Sequence, residues 1–141
     1  NNYPEYFKGV CTSVGFLTII LTMVNPKLPL SKIEEEQWGA PLNSKTAFEY
    51  IMKYDPYYNV KKQKYPFLYF SNSASDPRVG FYESLKFIQK LRENKKDNYP
   101  IVMRCDVDAS HGGASSRWDA LKKDVIPEQA WILKLFNKHK S

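Results

Sequence analysis

The chain alternates between two kinds of apolar pattern. Three short runs, Phe7 to Val14, Pro66 to Asn72 and Pro100 to Cys105, are nearly continuous in apolar, aromatic or β-branched residues and have the length of strands. Longer segments carry a helical period instead. Asn43 or Ser44 caps a predicted helix to about Tyr54, with Phe48, Ile51 and Met52 on one face and Asp55-Pro56 ending it. Arg78 to Glu93 places Val79, Tyr82, Leu85, Phe87, Ile88 and Leu91 along a second stripe. Ser116 to Lys138 reads as a third helix, which Pro127 should kink or divide near Val125. Between the first strand and the first long helix, prolines at 26, 29 and 41 forbid long regular structure, and Phe16 to Val24 fits helix or coil. Within that stretch, Ser31-Lys-Ile-Glu34 fits a capping box, predicting a short helix from Ser31 to Trp38 stopped by Gly39. Tyr57 to Tyr65 is a polar connector, and Asn94 to Asn98 a charged, exposed turn. Strands separated by helices imply parallel neighbours joined by right-handed crossovers. The expected class is therefore α/β, a mainly parallel sheet flanked by helices.

In such sheets chemistry gathers beyond the carboxyl ends of the strands. Two strand-to-helix loops share one design there. Ser71-Asn-Ser-Ala-Ser-Asp-Pro77 follows the second strand, and Asp106-Val-Asp-Ala-Ser-His-Gly-Gly113 follows the third. A histidine followed at once by two glycines is held on a loop that can turn tightly behind the ring. Asp76 and then His111, each on such a loop, match the second half of an acyl-transfer triad in the order Ser, Asp, His. No G-x-S-x-G occurs in the chain. Locally, Asp76 also fits a helix cap ahead of Pro77 and His111 an ordinary loop histidine, while His139 sits in a Lys-rich, solvated tail.

Composition narrows the partners. With 141 residues, 43% hydrophobic and 15% aromatic, the chain is one globular domain's worth of sequence. The net charge of +6 comes from 17 Lys and only 4 Arg scattered over several segments, which reads as a solvated surface and not as a nucleic-acid stripe. No zinc spacing or glycine-rich phosphate loop is present, so no metal or cofactor is expected. The longest apolar stretch, Val14 to Val24, is too short to span a bilayer, and no signal peptide is visible. Cys11 and Cys105 lie in apolar runs and are expected to be reduced core residues of a cytoplasmic protein. Glu34 to Glu36 is the one acidic run of this basic chain. Its carboxylates either offer charge-assisted bonds to a cation or form the polar face of the short helix.

Taken together, Asp76-Pro-Arg-Val, Tyr82-Glu-Ser-Leu-Lys-Phe-Ile-Gln-Lys-Leu-Arg92 and Asp108-Ala-Ser-His-Gly-Gly-Ala-Ser-Ser-Arg117 resemble the catalytic domain of the prolyl oligopeptidase family. Leu28-Pro-Leu, Glu34-Glu-Glu-Gln-Trp-Gly39 and Tyr54-Asp-Pro-Tyr-Tyr-Asn-Val60 are similar to its oligopeptidase B branch. The resemblance implies the C-terminal part of an α/β-hydrolase, with the nucleophilic Ser roughly ten residues before Asn1 and an N-terminal β-propeller outside this chain. It implies a serine oligopeptidase cutting short peptides after Arg or Lys, with Asp76 and His111 in the triad. Glu34 and Glu36 would recognise the basic P1 side chain, Phe16 would pack on its stem, and Arg78 would bond the substrate backbone. The 141 residues alone are then expected to be inactive, and to be marginal in stability or to pair through an open sheet edge. The rival expectations are a non-catalytic interaction module, or an aminopeptidase of the same family with a different P1 preference.

Overall fold

The computed structural model describes residues 1–111 and 116–137. Three strands, β1 (Gly9–Ser13), β2 (Phe67–Ser73) and β3 (Ile101–Asp106), form a parallel sheet in that order. In register, Val10 faces Leu68 and Leu68 faces Ile101, and further along Phe70 faces Met103. Alternation along each strand thus puts Val10, Leu68, Phe70, Ile101 and Met103 on one side of the sheet. Helix α4 (Phe81–Asn94) covers that side with Phe87, Ile88 and Leu91, closing the main core. The opposite side receives α6 (Ile126–Asn137), whose Trp131 ring lies 5.5 Å from that of Tyr69. Near β1 the approach is close: a side-chain carbon on Gly9 would sit 2.7 Å from Leu135.

The segment between β1 and β2 builds a second, smaller core. Helices α1 (Ile19–Met23) and α3 (Lys45–Met52) pack around Ile19, Ile20, Met23 and Ile51, and α2 (Pro29–Ile33) lies against α1. Ser44 caps α3 as expected, its hydroxyl accepting from the Ala47 N–H at 3.3 Å. Two buried carboxylates order this region, Asp55 from within it and Glu83 from the helix that covers the sheet. Asp55 accepts from the Ile20 N–H at 2.8 Å and the Tyr58 N–H at 3.1 Å. Glu83 of α4 accepts from the Leu17 and Thr18 N–H groups at 2.9 and 3.1 Å.

Several expectations need correction. The short helix is α2, Pro29–Ile33, and Glu34 to Gly39 forms turns. Proline suits the first helical turn, and the Ser31 hydroxyl donates to the Thr22 carbonyl at 2.7 Å instead of capping a helix. The α4 stripe is rotated: Glu83 and Ser84 are buried, whereas Tyr82 and Leu85 are more than a third exposed. Phe48 is likewise exposed, leaving Ile51 as the buried residue of α3. Cys105 is exposed and Cys11 half-buried. Cys105 lies at the end of β3, beyond the part of the strand that packs against α4. Pro127 divides the last helix at the expected place: α5 (Arg117–Ala120) runs into a π turn, Leu121–Val125, before α6 starts at Ile126. The two glycines after His111 and the tail residue His139 lie outside the described residues.

The turn before β3 is charged but folded inward. The Asp97 carboxylate accepts from the Tyr65 and Tyr99 N–H groups, both at 2.8 Å, and pairs with Lys95 at 2.8 Å. Burial alone would raise its pKa. The Lys95 bond and then the two backbone donors outweigh that and hold it below the usual carboxylate range. A depressed pKa stabilises the fold above the unfolded value and stops doing so as pH falls through the folded one. Asp97→Ala is accordingly expected to cost about 2 kcal/mol in urea unfolding at neutral pH, with the penalty shrinking on acidification below the carboxylate range.

Candidate active site

The carboxyl rim of the sheet carries the two loops singled out in the sequence, and they are tied together by serines of the first. The Ala74 N–H donates to the Asp106 carbonyl at 2.8 Å, the Ser75 hydroxyl to the Val107 carbonyl at 2.8 Å, and the Ser73 hydroxyl to the Ala109 carbonyl. Asp106 turns the second loop by accepting from the Asp108 N–H at 2.9 Å. Across this seam His111 Nδ1 stands 2.9 and 3.1 Å from the two oxygens of Asp76. The same Asp76 Oδ1 accepts from the Arg78 and Val79 N–H groups at 2.8 and 3.0 Å. The cap and the partner of the imidazole are therefore one carboxylate performing both tasks.

The Asp76 carboxylate is fully covered, while the imidazole is a third exposed. Burial would lift the Asp76 pKa. Bonds from the Val79 and Arg78 N–H groups and from the imidazole together outweigh it, so the carboxyl stays below its ordinary value. Next to an ionised carboxylate, Nδ1 must carry the proton, which leaves Nε2 as the basic ring nitrogen of the neutral imidazole.

His111 borders two cavities of about 210 Å³ each. One opens beyond the ends of β1 and β2, against Ser13, Val14 and Asn72. Val14, a β-branched residue at φ 42, makes the sharp exit from β1 and donates to the Ser71 carbonyl at 2.8 Å. The other cavity is lined by Phe16, Thr22, Ser31, Glu34 and Arg78. Phe16 is braced edge-to-face by Trp38 at 5.5 Å, and the Trp38 indole N–H donates to Glu34 at 3.3 Å. Five of the six residues predicted from the sequence thus converge: Asp76, His111, Arg78, Phe16 and Glu34. Glu36 is exposed and outside this wall.

The residues that sequence reasoning missed are the ones that hold these five in place. Ser73 and Ser75 stitch the loops, and Glu83 tethers the segment bearing Phe16. A signal for Glu83 exists. It stands four residues before Phe87 and eight before Leu91, so a charged side chain occupies the buried helix face.

A parallel sheet flanked by helices, with an acid and a histidine at its carboxyl rim, defines an α/β-hydrolase type of fold. The chain belongs to the prolyl oligopeptidase family, whose model matches residues 1–139. It is 37% identical over 133 residues to Protease 2 of Moraxella lacunata, covering 94% of this chain and 19% of that protein. It is 34% identical over 118 residues to dipeptidyl aminopeptidase BI of Pseudoxanthomonas mexicana, covering 84% of this chain and 16% of the relative. Oligopeptidase B from Trypanosoma brucei, solved in a closed form with covalently bound antipain, superposes with a TM-score of 0.89 at 36% identity. That match covers 96% of this chain and 19% of the oligopeptidase B chain. The chain therefore spans about a fifth of the length of these proteins. Among the described residues no helix is long and apolar enough to cross a membrane.

Proposed function

We propose that this chain is the histidine- and acid-bearing part of a longer serine peptidase that cleaves short peptides after Arg or Lys. The observation that carries the reading is His111 held by Asp76 between two cavities. In this reading a seryl hydroxyl from outside the chain enters the cavity beyond β1 and β2. His111 Nε2 takes its proton as the oxygen attacks the scissile carbonyl, then delivers that proton to the departing amine. Asp76 keeps the tautomer and stabilises the imidazolium. Water enters in the second half-reaction, and His111 repeats the transfer to release the acid. Without the nucleophile these 141 residues hydrolyse no peptide.

The second cavity would take the P1 side chain. Phe16 offers a ring to its stem, Glu34 a carboxylate to its cationic head, and Arg78 a cation to a backbone carbonyl of the peptide. Support comes from the likeness to oligopeptidase B and from Glu34 lining the cavity. In the full-length protein, Glu34→Gln is expected to lower kcat/KM for P1 Arg between about tenfold and a hundredfold, the worth of one charge-assisted bond. Glu36→Gln, an exposed charge, should change it less than about threefold. Equal activity on Arg and Leu at P1 before any substitution would refute the pocket.

The likeness to an aminopeptidase keeps a second reading in view. A peptidase of that kind would require a free amino terminus in its substrate. Acetylating the amino end of an otherwise identical peptide separates the two: cleavage persists in the oligopeptidase and stops in the aminopeptidase.

A further inference from the structure

The cavity that holds Glu34 also has two hydroxyl groups in its lining, and both have their protons engaged elsewhere. The Thr22 hydroxyl lies 2.7 Å from Glu83 Oε1. A carboxylate has no proton to give, so the hydroxyl is the donor. Ser31, itself 3% exposed, donates its hydroxyl proton to the Thr22 carbonyl at 2.7 Å. Each hydroxyl has one proton and two lone pairs, so toward the cavity both oxygens can only accept. A hydroxyl pair that accepts and cannot donate favours ammonium or guanidinium groups and disfavours carbonyls, which leaves Arg78 as the donor in the same lining.

Glu83 is what fixes this polarity. It is 1% exposed, and its other oxygen already accepts from the Leu17 and Thr18 N–H groups. Three donors converge on its two oxygens, two backbone N–H groups on one and the Thr22 hydroxyl on the other, and together they determine its orientation. Given a pocket for a basic side chain, as proposed above, we infer that Thr22 is a specificity-determining residue for the cationic head group. Glu83 acts through it as a positioning residue, holding the Thr22 hydroxyl proton away from the substrate so that the oxygen accepts, and Ser31 adds a second acceptor.

The amide variant tests this because its effect is directional. In Glu83→Gln the two backbone N–H groups require the amide oxygen at their end, which leaves the amide NH2 facing Thr22. Thr22 must then accept from Gln and turn its own proton into the cavity. Matched peptides with Arg or citrulline at P1 read the change, since citrulline keeps the shape of Arg but replaces the cation by a neutral urea carbonyl. Wild-type full-length protein is expected to prefer Arg. In E83Q, kcat/KM for Arg should fall about tenfold, mainly through KM, while that for citrulline rises. A merely structural role for Glu83 would lower both together. Thr22→Ser, which keeps the hydroxyl, should retain the Arg-to-citrulline ratio, and Thr22→Val should lower it about tenfold. These two variants decide the matter if E83Q does not fold. An unchanged ratio in both E83Q and T22V, with E34Q still losing its preference, overturns this inference and leaves the pocket standing. A wild-type protein with no preference for Arg over norleucine overturns both.

Discussion

In the full-length protein, His111→Ala is expected to reduce kcat about a millionfold while leaving KM within a few-fold of wild type. The size follows from the geometry. The imidazole is fixed by its Nδ1 contact with Asp76, at 2.9 Å, and borders both cavities, where the proposed reaction uses it as the base. In the proposed reaction its loss leaves the attacking hydroxyl with its proton and the leaving amine unprotonated, so both proton transfers are lost at once. Binding is expected to be left nearly intact because Phe16, Glu34 and Arg78 line the proposed peptide cavity beside the ring. Steady-state rates on a P1 Arg peptide give kcat, and far-ultraviolet circular dichroism shows that the variant is folded. A loss smaller than about a hundredfold in a folded variant would end the acyl-transfer reading.

Why His111 could be found in the sequence and its supports could not is a matter of range. The strands were legible because each is a short apolar run between turn residues, and parallel order follows from the helices between them. Asp76 and His111 were legible because they close loops of one design at one end of those strands. Glu34 as a cavity wall was within reach only through family resemblance. The local pattern pointed to a helix whose opposed faces would have separated its carboxylates, and the segment is a turn. Glu83 and Asp55 were out of reach for a different reason. Their partners lie 66 and 35 residues away at Leu17 and Ile20, and no local period encodes a bond of that span. Tyr82 and Leu85 show the converse. A helix of this composition can lay either of two overlapping stripes on the sheet, and burial of Glu83 selects the one that leaves them exposed. The misread helix ends share that cause, since Ser31 ties α2 back to the Thr22 carbonyl, nine residues away.

Asp76→Asn should leave the loop standing yet cost about ten-thousandfold in kcat at neutral pH. The Asn carbonyl can still accept the Arg78 and Val79 N–H groups that now bond Oδ1 at 2.8 and 3.0 Å, so the turn ahead of α4 persists. What changes is the group beside the imidazole. An amide NH2 facing Nδ1 forces that nitrogen to accept, the ring proton moves to Nε2, and the base is then protonated on the atom that must receive. The stability of the variant carries its own signature. Asp76 is held below its ordinary pKa, so it stabilises the native state above the carboxylate range and progressively less as pH falls through its lowered value. Wild type should therefore exceed D76N in Tm at neutral pH, and the gap should close on acidification through that range. A gap that widens with acid would mean that Asp76 is protonated in the native protein, in which case it cannot hold the imidazolium and the assignment of the pair fails.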